Sequence, residues 1–193
     1  MDLYKNRPGL PASIEVIHNE NILNVASDYL ISSGNPQLNM SGGVNGALLL
    51  TFGNSLQEEL HQHLKDAGVS WMPPGYCYQW KQAIGNYKGV VYCVTVDREY
   101  QFSKDLVQRT ILSASRLLQP QAGESVAFPA FGTGYGHLSK ADFGAAIKDV
   151  SAELLQACPG TRFFLVERNI HSVEELKESA GLAAPKANDD SVE

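Results

Sequence analysis

The sequence is poor in cysteine and contains neither a long basic run nor a long apolar run. Its three cysteines, Cys77, Cys93 and Cys158, show no Cys-x-x-Cys spacing, so we interpret them as reduced structural thiols. The net charge is -6 and no Lys/Arg run occurs, which argues against a surface that tracks nucleic-acid phosphates. No stretch approaches the ~20 apolar residues of a membrane span. We therefore expect a cytoplasmic protein with no membrane contact.

The length and composition predict one folded domain with tails of different character. The 193 residues are 44% hydrophobic and 19% charged, which is ordinary for a soluble α/β protein with a substantial core. We predict an N-terminal arm at residues 1–12, the folded domain at residues 13–182 and a disordered C-terminal tail at residues 183–193. The tail has the polar, Pro-containing composition of a frayed end.

Short β-rich runs alternate with amphipathic helical patterns along the domain. The predicted strands are at residues 13–18, 28–32, 75–80, 90–96, 125–130 and 162–167. Capping signals that begin predicted helices are Ser55 with Glu58, Ser139, and Ser172 with Glu175. This alternation predicts a mixed sheet between helices, in which ligands gather beyond the carboxyl ends of the strands.

The first candidate site is the loop in GNPQLNMSGGVNGALLL, residues 34–50, which breaks the chain just before a helix. A helix N-terminus has unpaired N–H groups and a partial positive charge, so it can bind an anion. Gly42 and Gly43 would let the backbone approach a phosphate without a Cβ. Asn35, just past the strand, offers a donor and an acceptor to a sugar hydroxyl.

The second candidate site is the loop FGTGYGH, residues 131–137, after another predicted strand. Neither loop contains the spacing of a Walker phosphate loop or of a dinucleotide fingerprint. A single loop of this kind would usually be only a turn. Two glycine-rich loops after two strands instead predict a ligand with two phosphates between them.

The two loops together resemble the signatures of the macro domain, the family that binds ADP-ribose. The family's VDAIVNAAN-xx-L-xx-GGGVDGAI matches SDYLISSGN-PQ-L-NM-SGGVNGAL at residues 27–48 without a gap. Its PAIGTGxGGL matches PAFGTGYGHL at residues 129–138. The resemblance implies a three-layer α/β/α fold with a mixed, largely parallel central sheet.

The resemblance also implies a set of ligand contacts. Adenine would meet the residues after the first strand and Arg168 or Asn169 after the last, while the distal ribose would meet Asn35 and pack under Tyr135. The full set implied to bind the ligand is Asn21, Ile22, Asn35, Ser41, Gly42, Gly43, Val44, Asn45, Phe131, Gly132, Thr133, Gly134, Tyr135, Gly136 and Arg168.

The departures from the family bear on catalysis. Asn21 stands where the family has an Asp that accepts the adenine amino group, and Asn45 stands where many ADP-ribosyl hydrolases have an Asp. An amide cannot act as a base near neutral pH, so Asn45 favours weak or no hydrolysis. Asn35 and Asn45 are the candidates for a catalytic role. Asn45→Asp is expected to raise turnover if the local geometry is that of the hydrolases.

Several functions stay open at this point. A binding module for ADP-ribose or ADP-ribosylated groups leads, and a hydrolase acting on an ADP-ribosylated protein, nucleic acid or metabolite is the alternative. A protein-interaction domain with a vestigial cleft and a module for another nucleotide are further readings. We expect no metal site, because His61 and His63 point to different faces of a helix, and we also expect no cofactor. The expected partners are ADP-ribose or a related nucleotide and ADP-ribosylated macromolecules, bound by a monomer.

Overall fold

A computed structural model describes residues 12–134 and 137–182, in which two layers of helices enclose one sheet. The strands in these ranges are β1 (Ser13–His18), β2 (Tyr29–Gly34), β3 (Cys77–Gln79), β4 (Gly89–Val94), β5 (Ser125–Pro129) and β6 (Arg162–Glu167). The α-helices are α1 (Gly43–Phe52), α2 (Ser55–Asp66), α3 (Lys104–Leu118), α4 (Lys140–Ala157) and α5 (Ile170–Ser179), with a 3-10 turn at Ile22–Asn24. None of the described helices has the length and apolar character needed to cross a membrane. Apart from residue 12, the predicted arm and tail lie outside the described residues.

The sheet has the order β1-β6-β5-β2-β4-β3 and is parallel except for its last edge. There, β3 runs antiparallel to β4. The predicted mixed, largely parallel sheet is therefore confirmed. The predicted strand at residues 75–80 is only three residues long, because Gly75 adopts a left-handed φ of 87° that turns the chain before Cys77.

The two faces of the sheet bury separate hydrophobic cores. Helices α3, α4 and α5 cover one face, and α1 and α2 cover the other. Strand side chains alternate between these cores, so Ile31 packs with the first and Leu30 with the second. All six residues of β4 are buried, because helices cover both faces of the sheet at this strand.

Two of the predicted helix starts are placed differently in the structure. Ser55 is already inside α2, and its hydroxyl donates to the side-chain oxygen of Gln82 at 3.1 Å. The last helix begins one turn before Ser172, where the Asn169 side chain accepts from the His171 N–H at 3.1 Å. An Asn at this position caps a helix as well as Ser does, so the earlier cap determines the start.

The end of β2 is joined to β4 through the fully buried side chain of Tyr92. Its Oη accepts from the Asn35 N–H at 2.9 Å and donates toward the carbonyls of Asn35 and Asn39, at 3.2 and 3.3 Å. Burial raises the pKa of Tyr92, so the hydroxyl keeps the proton that it donates. A Cβ on Gly34 would lie 2.0 Å from this oxygen, so only glycine fits beside the ring.

We predict that Gly34→Ala lowers the free energy of unfolding by about 1–3 kcal/mol, because the methyl group would displace the packed Tyr92 ring. Urea unfolding measures this. Gly46→Ala is the matched control: Gly46 lies in α1 with open space around its Cβ position, so alanine there should raise stability by up to about 1 kcal/mol. Equal stability of Gly34→Ala and the unmodified protein would contradict the assigned packing.

Candidate functional site

The segments that contain the sequence-predicted site residues follow the carboxyl ends of four neighbouring parallel strands. Asn21 follows β1, Arg168 follows β6, the second loop (residues 130–138) follows β5, and the first loop (residues 35–42) follows β2. Because the strand order is β1-β6-β5-β2, these four segments lie in a row. A ligand bound along these carboxyl ends would extend across four strands.

The ladder between β2 and β5 ends before either strand does. We call the gap beyond its end, where the two glycine-rich loops begin, the crevice. The pairing of β2 with β5 ends at Leu30 and Ala127. By contrast, β2 stays paired with β4 as far as Gly34, and β5 stays paired with β6 as far as Pro129. The carboxyl ends of β2 and β5 therefore separate, which is where parallel α/β sheets place their ligands.

The N-terminus of α1 presents bare backbone beside this crevice. Gly42 and Gly43 are exposed and have left-handed φ values of 77° and 55°. A Cβ on either residue would have no heavy atom of the fold within 4 Å beyond its chain neighbours. No side chain caps the helix at Gly42. The first-turn N–H groups and the helix dipole are therefore available to an anion.

Hydrogen bonds from the side chains of Gln57 in α2 and of Asn35 hold the backbone of the first loop. Gln57 accepts from the Met40 N–H at 2.6 Å and donates to the Leu38 carbonyl at 2.9 Å. The Asn35 side chain bonds both the N–H and the carbonyl of Asn39, each at 3.2 Å. Asn35, predicted to hold a ribose, thus has its amide engaged within the loop. Its Oδ1 retains a second lone pair.

The described start of the second loop, residues 130–134, turns at Thr133 and is covered by Phe102 at Gly132. Gly132 has a left-handed φ of 75°, and a Cβ there would lie 2.3 Å from the ring of Phe102. The Thr133 hydroxyl donates to the Ala130 carbonyl at 3.0 Å. Gly134 is exposed, has no positive φ, and has open space at its Cβ position. A side chain could be placed at Gly134 without disturbing the fold.

Phe131 does not present its side chain to the crevice as a ligand-binding residue would. It is fully buried, with its ring centroid 6.0 Å from Phe128 and 5.8 Å from Phe143. Because the ring packs in the aromatic core beneath α4, only the backbone of Phe131 could contact a ligand. Tyr135 and Gly136, also predicted as ligand contacts, lie outside the described residues.

The predicted adenine end lies at β1 and β6. Asn21 is exposed, and its Oδ1 accepts from the Leu23 N–H at 3.1 Å, so it caps the 3-10 turn. The Ile22 side chain is buried, which leaves its backbone for a ligand. Arg168 is exposed, and its carbonyl lies 3.1 Å from His18 Nε2. These contacts connect the two strand ends that the ligand would span.

An ion pair between a buried carboxylate and a half-buried lysine supports the same end of the site. Glu167, the last residue of β6, is buried, pairs with Lys140 at the start of α4, and accepts from the Asn169 N–H at 2.8 Å. Both charges thus have partners where burial would otherwise be costly. This pair joins α4, which follows the second loop, to the strand that leads into Arg168.

The start of α4 differs from the start of α1, because its own side chains cap it. The Asp142 N–H donates to Ser139 Oγ at 3.0 Å, and that hydroxyl donates to the Asp142 carboxylate at 2.8 Å, which confirms the predicted Ser139 cap. Hydrogen bonds from Lys104 and Ser139 hold the pKa of Asp142 below its usual range. Asp142 is therefore a helix-start anion with partners, as its sequence position indicates.

Asn45 is a buried amide that completes the end of β2. It is 2% exposed, and its Nδ2 donates to the Ser33 carbonyl at 2.8 Å. Ser33 lies beyond the last β2–β5 pair, so this bond replaces a missing ladder contact. Asn45 Oδ1 is buried without a protein partner within the described ranges. A carboxylate at this position would place an oxygen against the Ser33 carbonyl, so the geometry disfavours the sequence-based expectation for Asn45→Asp.

Two cavities elsewhere contain none of the predicted site residues. One of about 590 Å³ lies between the end of α3 and the turn after α4, beside Gln119 and Pro159. Another of about 150 Å³ lies beside α2, next to Glu59 and His63. The described segments that contain the predicted residues instead follow the carboxyl ends of β1, β6, β5 and β2.

Comparison with known proteins identifies the family. A model of the macro domain family matches residues 31–147. The chain belongs to the macro domain family. It is 31% identical over 166 residues to an O-acetyl-ADP-ribose deacetylase of Escherichia coli, covering 83% of this chain and 93% of the relative. The chain is 28% identical over 156 residues to the deacetylase of the same name from Citrobacter rodentium, covering 79% of this chain and 86% of the relative.

Solved macro domains share the fold. The Oceanobacillus iheyensis macrodomain with ADP superposes with a TM-score of 0.72 at 14% identity, covering 87% of this chain and 90% of that one. The Trypanosoma brucei macrodomain in complex with ADP-ribose superposes with a TM-score of 0.66 at 16% identity, covering 87% of this chain and 69% of that one. The three-layer macro-domain fold predicted from the two motifs is confirmed.

Sequence reasoning missed the residues that support the site from beneath. Tyr92 is 57 residues from Asn35 along the chain. Gln57 reaches the first loop from α2, and Phe102 reaches the second loop from the segment before α3. A signal existed only for Gly34, where the family signature has alanine: the missing methyl group leaves room for a large neighbour. Nothing in the sequence indicates which side chain fills that room.

Proposed function

We propose that this macro domain binds ADP-ribose, with the diphosphate between the first and second loops. The observation that carries the proposal is the crevice between β2 and β5, with the uncapped N-terminus of α1 and exposed Gly134 on its two sides. A diphosphate carries negative charge and many acceptor oxygens, and bare N–H groups at a helix start are suited to both. Within residues 34–45 no acidic side chain opposes that charge.

The row of strand ends supports one orientation of the ligand. Adenine would lie over β1 and β6, near Asn21 and Arg168, and the distal ribose would lie at the first loop, near Asn35. Relatives of the same fold have been solved with ADP and with ADP-ribose. The ligand contacts of the individual residues stay predictions. Gly134→Glu tests the position of the diphosphate, and Tyr92→Phe tests the position of the distal ribose.

Gly134→Glu should weaken ADP-ribose binding by about 100-fold or more, because it places bulk and negative charge against the diphosphate. Isothermal titration calorimetry with ADP-ribose, and with AMP and ADP for comparison, measures this. The variant should unfold at an unchanged temperature, since Gly134 has open space around it.

Two variants control for the added charge and the added atom. Gln156→Glu adds a negative charge on an exposed position of α4 away from the loops, and it should bind ADP-ribose normally. Gly134→Ala adds a methyl group alone and should have a smaller effect than glutamate. Unchanged affinity in a folded Gly134→Glu protein would contradict the proposed site.

Tyr92→Phe should weaken ADP-ribose binding by about 10-fold while changing ADP binding little. The substitution removes the hydroxyl that orders Asn35 and Asn39, and ADP lacks the distal ribose that this loop would hold. Calorimetry with both ligands separates the two effects.

Tyr78→Phe is the matched control, because Tyr78 also buries a hydroxyl, bonded to Glu59 at 2.9 Å beside α2. It should leave both affinities unchanged. If Tyr92→Phe weakened ADP and ADP-ribose equally, the hydroxyl would be a general support of the fold. If it weakened neither, the ribose would not lie at the first loop.

Hydrolysis of ADP-ribosyl compounds is a second candidate function, favoured by the O-acetyl-ADP-ribose deacetylases to which the chain is similar. A missing general base costs about 100- to 10,000-fold in rate, and the first loop supplies an amide, Asn45, in place of a carboxylate. Any deacetylation would therefore be slow, or would use a group outside the first loop.

Asn45→Asp should lower the free energy of unfolding by about 1–3 kcal/mol and should not raise the hydrolysis of O-acetyl-ADP-ribose. The reason is that the carboxylate would lose the bond to the Ser33 carbonyl and repel it. Urea unfolding and mass spectrometry of the acetylated and free ligand measure the two quantities. Asn45→Ala, which removes the bond without adding a charge, is the control. A rise in turnover for the Asp variant alone would show that its carboxylate reaches a catalytic water.

The remaining sequence-based expectations are proposals of the same kind. ADP-ribosyl groups on a macromolecule are proposed as a physiological partner, because the crevice is open at the strand ends. A 21.0 kDa monomer and a cytoplasmic location are likewise proposed. Light scattering coupled to gel filtration measures the first of these two.

A further inference from the structure

Cys77 and Cys93 face each other across the antiparallel pair of β3 and β4. They are direct cross-strand partners in the register. The neighbouring pair, Tyr76 and Val94, is bridged by the Val94 N–H donating to the Tyr76 carbonyl at 2.8 Å. Bonded and non-bonded pairs alternate along such a ladder, so the cysteines occupy a non-hydrogen-bonded pair. In this type of pair the Cα atoms approach most closely, to about 4.5 Å.

The two thiols are already in contact. Their sulfur atoms are 3.2 Å apart, and both cysteines are free. A disulfide requires Cα atoms about 4.4–6.8 Å apart, a range that a non-hydrogen-bonded pair meets without backbone movement. The sulfurs would need to approach by only about 1 Å.

The two thiols differ in access to solvent. Cys77 is half-buried in the edge strand β3, whereas Cys93 is fully buried in β4 beside it. Burial and the adjacent Cys77 raise the pKa of the Cys93 thiol well above its usual range. Cys77 is therefore the sulfur that an oxidant in solution would meet first, and Cys93 is the thiol placed to resolve the product.

We propose that Cys77 and Cys93 form a site of reversible oxidation, in which a peroxide converts the two thiols to an intramolecular disulfide. Cys77 Sγ attacks one oxygen of hydrogen peroxide, the O–O bond breaks, and a sulfenic acid and water form. Cys93 Sγ then attacks Cys77 Sγ, the S–O bond breaks, and a second water leaves. Two thiol protons and two electrons pass to the peroxide, and a dithiol reductant reverses the reaction.

The disulfide would act on the edge of the sheet that supports the first loop. β3 has only three residues, so it is held by few ladder bonds. Cys93 pairs on its other side with Ser33 of β2, whose carbonyl receives the Asn45 amide. A covalent bond between β3 and β4 would thus stabilise the strand next to the candidate site. Cys158, buried at the end of α4, has no such partner among the described cysteines and provides an internal control.

The test is treatment of the folded full chain with hydrogen peroxide, then alkylation in denaturant and mass spectrometry. We expect the protein to lose two alkylatable thiols, a peptide linking Cys77 to Cys93 to appear, and dithiothreitol to restore all three thiols. The melting temperature of the oxidised protein should exceed that of the reduced protein by about 5 °C or more. Cys158→Ser should behave the same way, while Cys77→Ser and Cys93→Ser should form no internal disulfide.

Three results would overturn the proposal. They are retention of all three thiols, conversion of Cys77 to sulfinic or sulfonic acid without a linked peptide, and disulfides that join two chains on a non-reducing gel. Should a serine variant fail to fold, the thiol count and peptide map of the unmodified protein and of Cys158→Ser still decide the matter.

Discussion

The early end of the ladder between β2 and β5 is the constraint on which the site depends. Both strands continue past Leu30 and Ala127, but each then pairs only with its other neighbour. The two glycine-rich loops therefore begin on opposite sides of a gap and not on adjacent paired strands. A gap of this kind leaves backbone groups that need other partners, and the structure supplies one of them as a side chain, Asn45.

The first loop and the described start of the second loop are held in place without a ligand. Tyr92 and Gln57 bond the backbone of the first loop, and Phe102 packs on Gly132 of the second. A loop that is ordered in advance loses little conformational entropy on binding, so more of the interaction energy appears as affinity. The exposed glycines can then remain bare, because the residues beneath them determine the loop shape. The proposed ligand contacts thus lie in the loops, and the side chains that hold the loops come from α2, β4 and the segment before α3.

The sequence predicted the elements well and the supports poorly, for physical reasons. Strands and helices follow from periodicity along the chain, so all six predicted strands are present, although β3 is short because Gly75 turns the chain. Capping is less certain: Ser139 acts as expected, whereas Asn169 replaces Ser172 because either side chain can cap a helix. The partners of a buried ring depend on the whole fold. The sequence therefore does not show that the Phe131 ring packs between other aromatic rings, which leaves only its backbone for the proposed ligand.

The position of Asn45 shows how one residue can serve the fold or the chemistry. An amide there donates to the Ser33 carbonyl, which the divergence of β2 from β5 leaves without a ladder partner. A carboxylate has no proton to donate near neutral pH, so it would have to face water or a ligand instead of that carbonyl. The choice of Asn therefore stabilises the strand end that carries the first loop, at the expense of a base beside the crevice. This role of Asn45 in the fold supports the proposal that the first loop binds the ligand without supplying a base.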